Sequence, residues 1–238
     1  MLAKHFAPIL CADLGRLGGF LYEPFTGGFN VIPRLGASVK RALCGDLHPG
    51  LISLYQSLQI GLWDPPENLT EDEYDWLKLN RDWSDPLTAF AAFGCSFGAL
   101  EFSTYARAPN HPERNYARAA ARSLRRKARW MAPVEFRLQD FEGGSLDCDL
   151  YGPAVIYADP PYLGTAGYLG STFDHQRFYR WCGIMAEAGH VVYISEFSQP
   201  GRGLAFETAW EKVRFRGIRS NAGSHVRDIM FRVKGFQR

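Results

Sequence analysis

No two of the five cysteines form a CxxC pair: Cys11, Cys44, Cys95, Cys148 and Cys182 are scattered through the 238 residues. An odd number of cysteines, in a chain too large to need covalent staples, implies buried free thiols in a reducing compartment, and so a cytoplasmic protein. The six histidines are equally dispersed and no HExxH occurs, which argues against a zinc site or any other metal centre. Nothing approaches the roughly 18–20 uninterrupted apolar residues of a membrane span. The short apolar run in the N-terminal MLAKHFAPIL carries no signal-peptide cleavage pattern. Internal repeats and low-complexity tracts are absent. The formal net charge is only +2, so bulk charge says little about partners.

What the chain does have is a regular alternation of short apolar runs with helical patterns. Phe20-Leu21-Tyr22-Glu23 reads as a strand stopped by Pro24, with a helix expected in the ten residues that follow. Arg41 to Asp46 is a second strand candidate, and Leu51, Leu54, Tyr55 and Leu58 then recur at helical spacing. Val134 to Gln139 alternates, and Ala154 to Ala158 is a continuous apolar run of the buried parallel type. Asp174 to Ala188 reads as a helix and Val191 to Ile194 as another buried strand. Glu211–Arg216 and Val226–Val233 alternate around the turn cluster at residues 220–224, as an antiparallel hairpin would. This order predicts an α/β fold with an open sheet ending in an antiparallel pair, with ligands at the carboxyl ends of its strands.

Residues 59–132 interrupt the alternation. They hold helical pieces, an aromatic-rich loop and a basic run, with no convincing buried strand, and begin near Gly61 and Pro65-Pro66. The expected division is therefore a sheet domain over 1–58 and 133–238, with a helical insertion over 59–132. Between positions 107 and 129 stand Arg107, Arg114, Arg118, Arg122, Arg125, Arg126, Lys127 and Arg129 against a single acid, Glu113. Such a local excess suits a polyanion, although a charge run can equally be a solvated helix face. Arg114, Arg118, Arg122, Arg125 and Arg129 share a face at helical spacing, as a track for phosphates would. Asn110, Asn115 and Arg107 have the reach for base edges. Phe97, Phe102 and Tyr105 are either stacking residues or core.

Three short segments carry chemistry. The sharpest is Asp159-Pro160-Pro161-Tyr162, directly after the buried strand ending at Ala158. An exocyclic amine on a nucleobase, such as adenine N6, is a poor nucleophile because its lone pair is delocalised into the ring. A catalyst must draw that nitrogen toward tetrahedral geometry with acceptors aimed at its two hydrogens. The Asp159 carboxylate supplies one acceptor. The Pro160 carbonyl, held clear of any helix ladder by consecutive prolines, supplies the other, and Tyr162 can stack on an extruded base. The bland alternative is a Pro-Pro turn with a core tyrosine. The second segment, Glu23-Pro24-Phe25-Thr26-Gly27-Gly28-Phe29-Asn30-Val31, places adjacent glycines where a ligand can approach the backbone, although it fits GxGxxG poorly. The third is Asp46, at the end of the second strand, where an acid commonly takes ribose hydroxyls.

Together with GDLHPGLISLY (45–55), FGCSFGALEFSTYAR (93–107), RNYARAAARSLRR (114–126), VEFRLQDF (134–141), FDHQRFYRWC (173–182) and VVYISEFSQP (191–200), these segments resemble the Dam-type, or D12-class, N6-adenine DNA methyltransferases. The small versions carried by phages are the nearer likeness. The resemblance implies a Rossmann-like S-adenosylmethionine-dependent methyltransferase sheet with a C-terminal reversed hairpin, and a target-recognition insertion between the second and third strands. It implies methyl transfer to adenine N6 in double-stranded DNA after base flipping, with S-adenosylhomocysteine as product, in a bacterial or phage-infected cell. It assigns Glu23, Pro24, Phe25, Gly27 and Gly28 to the methionine side of the cofactor, Asp46 to its ribose, Asp140 and Phe141 to its adenine, and Asp159 to both cofactor and catalysis with Pro160, Pro161 and Tyr162. DNA contacts fall to Arg107, Arg114, Arg118, Arg122, Arg125 and Arg126, and to Thr165 and Tyr168 in a loop that holds the flipped base. Ser195 and Glu196 end a strand beside the pocket. Two features depart from the pattern. The family's glycine-lysine segment before the first helix has no counterpart ahead of Lys4, and the third glycine of the first motif is Phe29. An RNA or protein N-methyltransferase, or a catalytically weak DNA-binding protein of the same fold, are the other readings.

Overall fold

A computed structural model describes residues 3–107, 114–162, 173–198, 203–216 and 224–237. Along the chain the elements are α1 (Ala3–Arg16), β1 (Phe20–Glu23), α2 (Ile32–Leu35), β2 (Arg41–Asp46), α3 (Pro49–Gln59), α4 (Glu71–Leu79), α5 (Pro86–Ala89) and α6 (Tyr116–Ala128). They continue with β3 (Val134–Leu138), α7 (Ser145–Tyr151), β4 (Val155–Ala158), α8 (His175–Glu187), β5 (Val191–Glu196), β6 (Leu204–Arg216) and β7 (Ser224–Phe236). The chain forms two compact units, one of residues 1–45 and 139–238, the other of residues 46–138.

In the first unit the sheet runs β2-β1-β4-β5-β7-β6. The strands from β2 to β5 are parallel neighbours, with Tyr22 opposite both Leu43 and Ile156, and Ile156 opposite Val192. β7 pairs antiparallel with β5 and with β6. Buried parallel strands carry apolar residues on both faces, and each face here has its own helix. Phe6 of α1 stacks on Tyr157 at 5.0 Å, and the Tyr193 hydroxyl donates to Asp13 of α1 at 2.6 Å. On the opposite face Tyr22, Ile156 and Ile194 pack with Phe178, Trp181 and Met185 of α8. This is the α/β open sheet with a C-terminal antiparallel hairpin that the alternation predicted.

The deviations have local causes. The eight residues after β1, 24–31, form a turn and the helix starts only at Ile32, because Gly27 and Phe29 both take left-handed φ values, +45° and +46°, that no helix accepts. β6 and β7 are longer than their alternating stretches, since the pairing runs through bulges at Ala205/Phe206 and Thr208/Trp210 that break the two-residue period. The predicted turn at residues 220–224 lies largely outside the described residues. Four of the five cysteines are buried and all five are free thiols.

The second unit is mostly helical. Gln59 of α3 donates to the carbonyls of Met131 and Val134, both at 2.7 Å, and Gln56 donates to that of Phe136 at 2.8 Å, tying α3 to β3. α4 opens with a reciprocal capping box between Thr70 and Glu73. No helix among the described residues is long and apolar enough to cross a membrane.

One contact in the first unit fixes a whole loop. The Tyr22 hydroxyl, fully buried on β1, donates to the Phe141 carbonyl at 2.9 Å and accepts from the Gly144 amide at 3.2 Å. A Cβ on Gly144 would fall 2.5 Å from the Tyr22 ring, so glycine is required there by close approach. Tyr22→Phe leaves a buried carbonyl and amide without this partner, and urea unfolding should show a loss of about 1–3 kcal/mol. An unchanged midpoint would remove the hydroxyl from this role.

Candidate active site

The carboxyl ends of the parallel strands in the first unit collect acids. Glu23 ends β1 and is buried. Asp159 follows β4, and Ser195 and Glu196 end β5, both buried. Across the β5–β7 ladder Glu196 faces Ile229, which sets buried Asp228 beside the end of β5. The run Asp228-Ile229-Met230-Phe231 is buried throughout. In sequence, the only trace of Asp228 is an acid lodged in an otherwise apolar stretch.

Asp159 is open to solvent on one side and closely surrounded by protein on the others, while Pro160 is buried. Loss of hydration pushes the Asp159 carboxyl up from 3.8 to about 6. The Tyr162 hydroxyl bond pulls against that rise, and the charge of Asp228 adds to it. The Tyr162 hydroxyl donates to Asp159 Oδ1 at 2.7 Å, and its ring meets Phe197 edge-on at 4.2 Å. Burial, then the neighbouring Asp159 charge, raises the Tyr162 phenol well above its ordinary value, so it stays a donor. The Pro161 carbonyl lies 3.0 Å from His175 Nε2, and His175 Nδ1 lies 3.0 Å from the Phe173 carbonyl. His175 thus pins the end of the Asp159–Tyr162 turn to the start of α8, a role that sequence reading did not assign. Beneath the turn, Tyr157 and Ser195 share a buried hydrogen bond of 2.7 Å.

The turn after β1 is built around Thr26. Its amide and hydroxyl both donate to the Gly45 carbonyl at 2.9 Å, and the Phe29 amide donates to the Thr26 carbonyl at 2.9 Å. Phe29 takes a left-handed backbone, at a cost of roughly 1–2 kcal/mol, and its fully buried ring offsets that strain. Phe25 stacks on Phe141 at 6.1 Å and meets Phe173 and Phe178 edge-on at 5.7 and 5.5 Å. The structure therefore brings together the two segments assigned to the methionine and adenine ends of a cofactor, residues 23–28 and 140–141.

Asp46 ends β2 and opens the second unit. Its Oδ1 accepts from the His48 amide at 2.9 Å, just ahead of α3. In that unit Asn115 caps α6 through the Arg118 amide at 2.8 Å and donates to Asn68 at 2.7 Å. Arg125 is held by Asp64 at 2.6 and 2.8 Å, by Glu67 at 3.1 Å and by the Pro65 carbonyl at 2.8 Å. Arg118 meets Glu67 at 3.3 Å and Arg107 pairs with Glu71. Arg114, Arg122, Arg126 and Arg129 are exposed, Arg114 lying over the Tyr116 ring at 5.1 Å. Phe102 is buried, Tyr105 donates to the Leu69 carbonyl at 2.6 Å, and Phe97 is 65% exposed. Thr165, Tyr168 and Asn110 lie outside the described residues.

Because the folded Asp159 carboxyl titrates near 6 rather than 3.8, its ionisation opposes folding above that pH, and the penalty disappears once both states are protonated. Asp159→Asn keeps an oxygen for the Tyr162 hydroxyl and removes the charge. Its Tm should exceed that of the unaltered protein at pH 8 and converge with it toward pH 4 in calorimetry. Equal Tm values at both pH values would contradict the desolvated carboxylate.

No family model and no curated protein matches the sequence of this chain. Among the solved structures to which the chain is similar is the rRNA methyltransferase aviRa from Streptomyces viridochromogenes, at 18% sequence identity over 96% of this chain and 84% of that chain, with a TM-score of 0.42.

Proposed function

We propose that the chain is an S-adenosylmethionine-dependent methyltransferase that methylates adenine N6 in double-stranded DNA, acting on a base flipped out of the stack. The observation that carries this reading is Asp159. It is a solvent-facing carboxylate at the end of a buried parallel strand, held by Tyr162, and hydrated poorly enough to titrate near 6.

The residues fit a cofactor of this kind. Glu23 offers a buried carboxylate at the end of β1, where a ligand ammonium would be recognised. Gly27 and Gly28 keep the adjoining turn clear of Cβ atoms, and Phe25, half-buried against Phe141, offers aromatic surface. S-adenosylmethionine supplies a methyl group on a sulfonium, whose departure as a neutral thioether drives the transfer without a strong base.

The substrate amine first replaces Tyr162 as donor to Asp159 Oδ1, freeing the phenol ring to lie against the base. With one amine hydrogen on Asp159 and the other on the Pro160 carbonyl, the nitrogen lone pair is withdrawn from the ring and aimed at the methyl carbon. Once methylated, the amine would give up one proton through Asp159 to solvent. The ionised carboxylate is the stronger acceptor and the form that can take the amine's proton, so turnover should rise with pH through about 6. On the second unit, exposed Arg114, Arg122, Arg126 and Arg129 are the residues proposed to meet phosphates. Arg107, Arg118 and Arg125, paired with Glu71, Glu67 and Asp64, order the face that carries them.

Incubation with labelled S-adenosylmethionine and either unmethylated duplex DNA or RNA, followed by digestion to nucleosides, should place label in N6-methyldeoxyadenosine. Label confined to RNA, or to protein, would overturn the substrate. Asp159→Ala should lower kcat about a hundredfold or more while leaving DNA affinity intact. Tyr162→Phe, which removes the bond favouring the ionised acid, should move the acidic limb of the pH–rate profile to higher pH. Combined Arg122→Ala and Arg126→Ala should flatten the dependence of log K on log salt by about 0.9 for each phosphate that is no longer neutralised. Arg125→Ala should leave that slope nearly unchanged and lower Tm instead.

A further inference from the structure

Methyl transfer as proposed above needs the Pro160 carbonyl aimed at one hydrogen of the substrate amine, and something has to hold it there. The ring of Pro161 fixes φ at that residue, so the torsion left between the Pro160 and Pro161 carbonyls is ψ of Pro161. The contact that bears on this torsion comes from His175, the half-buried first residue of α8. Its Nε2 lies 3.0 Å from the Pro161 carbonyl, and its Nδ1 lies 3.0 Å from the Phe173 carbonyl. The Phe173 carbonyl also accepts from the His175 amide at 3.1 Å, so it is already turned toward this residue. Asp174 caps α8 through the Arg177 amide at 2.9 Å, which fixes the start of the helix that carries the imidazole.

Two carbonyl oxygens offer only lone pairs, whereas a neutral imidazole carries one N–H and one lone pair. In either neutral tautomer, one ring nitrogen would therefore set its lone pair against a carbonyl lone pair at 3.0 Å. Only the doubly protonated ring donates to both carbonyls. The N-terminus of α8 disfavours a cation, but the adjacent Asp174 carboxylate and two charge-assisted hydrogen bonds act the other way. The other titratable side chains near the ring, among the described residues, are Tyr179, which meets Glu196, and Tyr162 and Asp159 on the turn. Burial raises both phenols well above their ordinary value, and Asp159 gains its charge as pH rises. None of these three would lower turnover near neutrality.

We infer that His175 is a positioning residue for methyl transfer and acts as the imidazolium: its two N–H groups clasp the Pro161 and Phe173 carbonyls and so hold the Pro160 carbonyl on the substrate amine. This rests on the mechanism proposed above and adds to it a group that acts through the backbone. Protons on His175 favour the clasped turn, so turnover falls as pH rises through the titration of the ring. Together with the rise contributed by Asp159, this makes the pH–rate profile bell-shaped.

The test is the single-turnover rate of DNA methylation by the full chain across pH, at saturating S-adenosylmethionine and duplex. The unaltered protein should show a falling limb above the rise set by Asp159. His175→Gln carries an amide to the place of Nε2, keeps the bond to the Pro161 carbonyl and does not titrate. Its rate should stay within about threefold of the unaltered maximum, and the falling limb should vanish. His175→Asn brings its amide only to the place of Nδ1 and loses the Pro161 bond. Its rate should drop about tenfold or more, at unchanged KM for cofactor and DNA. In nitrogen NMR of histidine-labelled protein, the resonances missing from His175→Gln should show both ring nitrogens protonated, with one proton lost over the pH range of the falling limb. Equal losses in the two variants, an unchanged rate in His175→Asn, or a falling limb that survives in His175→Gln would overturn the clasp. So would a single ring N–H at every pH. Failure of the unaltered protein to methylate DNA would overturn the proposed reaction instead, and the NMR readout still decides the clasp.

Discussion

A tyrosine hydroxyl in the middle of a buried parallel strand is costly unless its donor and acceptor capacities are used, and the Tyr22 hydroxyl uses both on the backbone of one loop. The arrangement holds because β1 is an interior strand, flanked by β2 and β4, with α8 closing over it so that Trp181 meets Tyr22 edge-on at 6.1 Å. The loop of residues 140–144 hangs from this contact: the carbonyl of Phe141, the amide of Gly144, and through them the Asp140 carboxylate that Arg177 meets. A loop held at its backbone by one strand and at its side chains by one helix has little freedom left.

The strand ends show the opposite economy. There the protein gathers acids with incomplete hydration, and Asp159 is raised toward 6 because an accessible face is surrounded by dense protein and by the charge of Asp228. A carboxyl destabilised in this way contributes nothing to folding at neutral pH, which is the ground for proposing it as a functional group. The Tyr162 bond that favours its ionised form is also the bond that, in the proposed mechanism, a substrate amine would replace. In the second unit the same separation recurs among the arginines of one stretch. Arg107, Arg118 and Arg125 are spent on Glu71, Glu67 and Asp64, while Arg122, Arg126 and Arg129 point to solvent.

Much of this was legible in the sequence because it depends on local pattern. Val155–Ala158 and Val191–Glu196 are continuous apolar runs, and a run buried on both faces reads directly as a parallel strand. The Asp159–Tyr162 turn was marked by its prolines, and the turn after β1 by Gly27-Gly28. The helix expected after Pro24 begins only at Ile32, because Phe29 first takes a left-handed backbone that is visible only once its ring has a core to enter. The extra length of β6 and β7 was hidden because bulges shift the side-chain period.

The sequence by itself determined the strand order in the chain, the positions of the Asp159 turn and the glycine turn, and the clustering of positive charge, since each is written within a few consecutive residues. Only the tertiary structure decided which distant residues meet. It set Asp228 of β7 beside the end of β5, tied His175 to the Asp159–Tyr162 turn, and placed Arg177 across Asp140 and Glu142. It also divided the arginines of residues 107–129 between acids and solvent. The reason is physical: helix and strand periods report which face a residue takes, whereas the partner on that face comes from another element, and its identity follows from packing rather than from spacing.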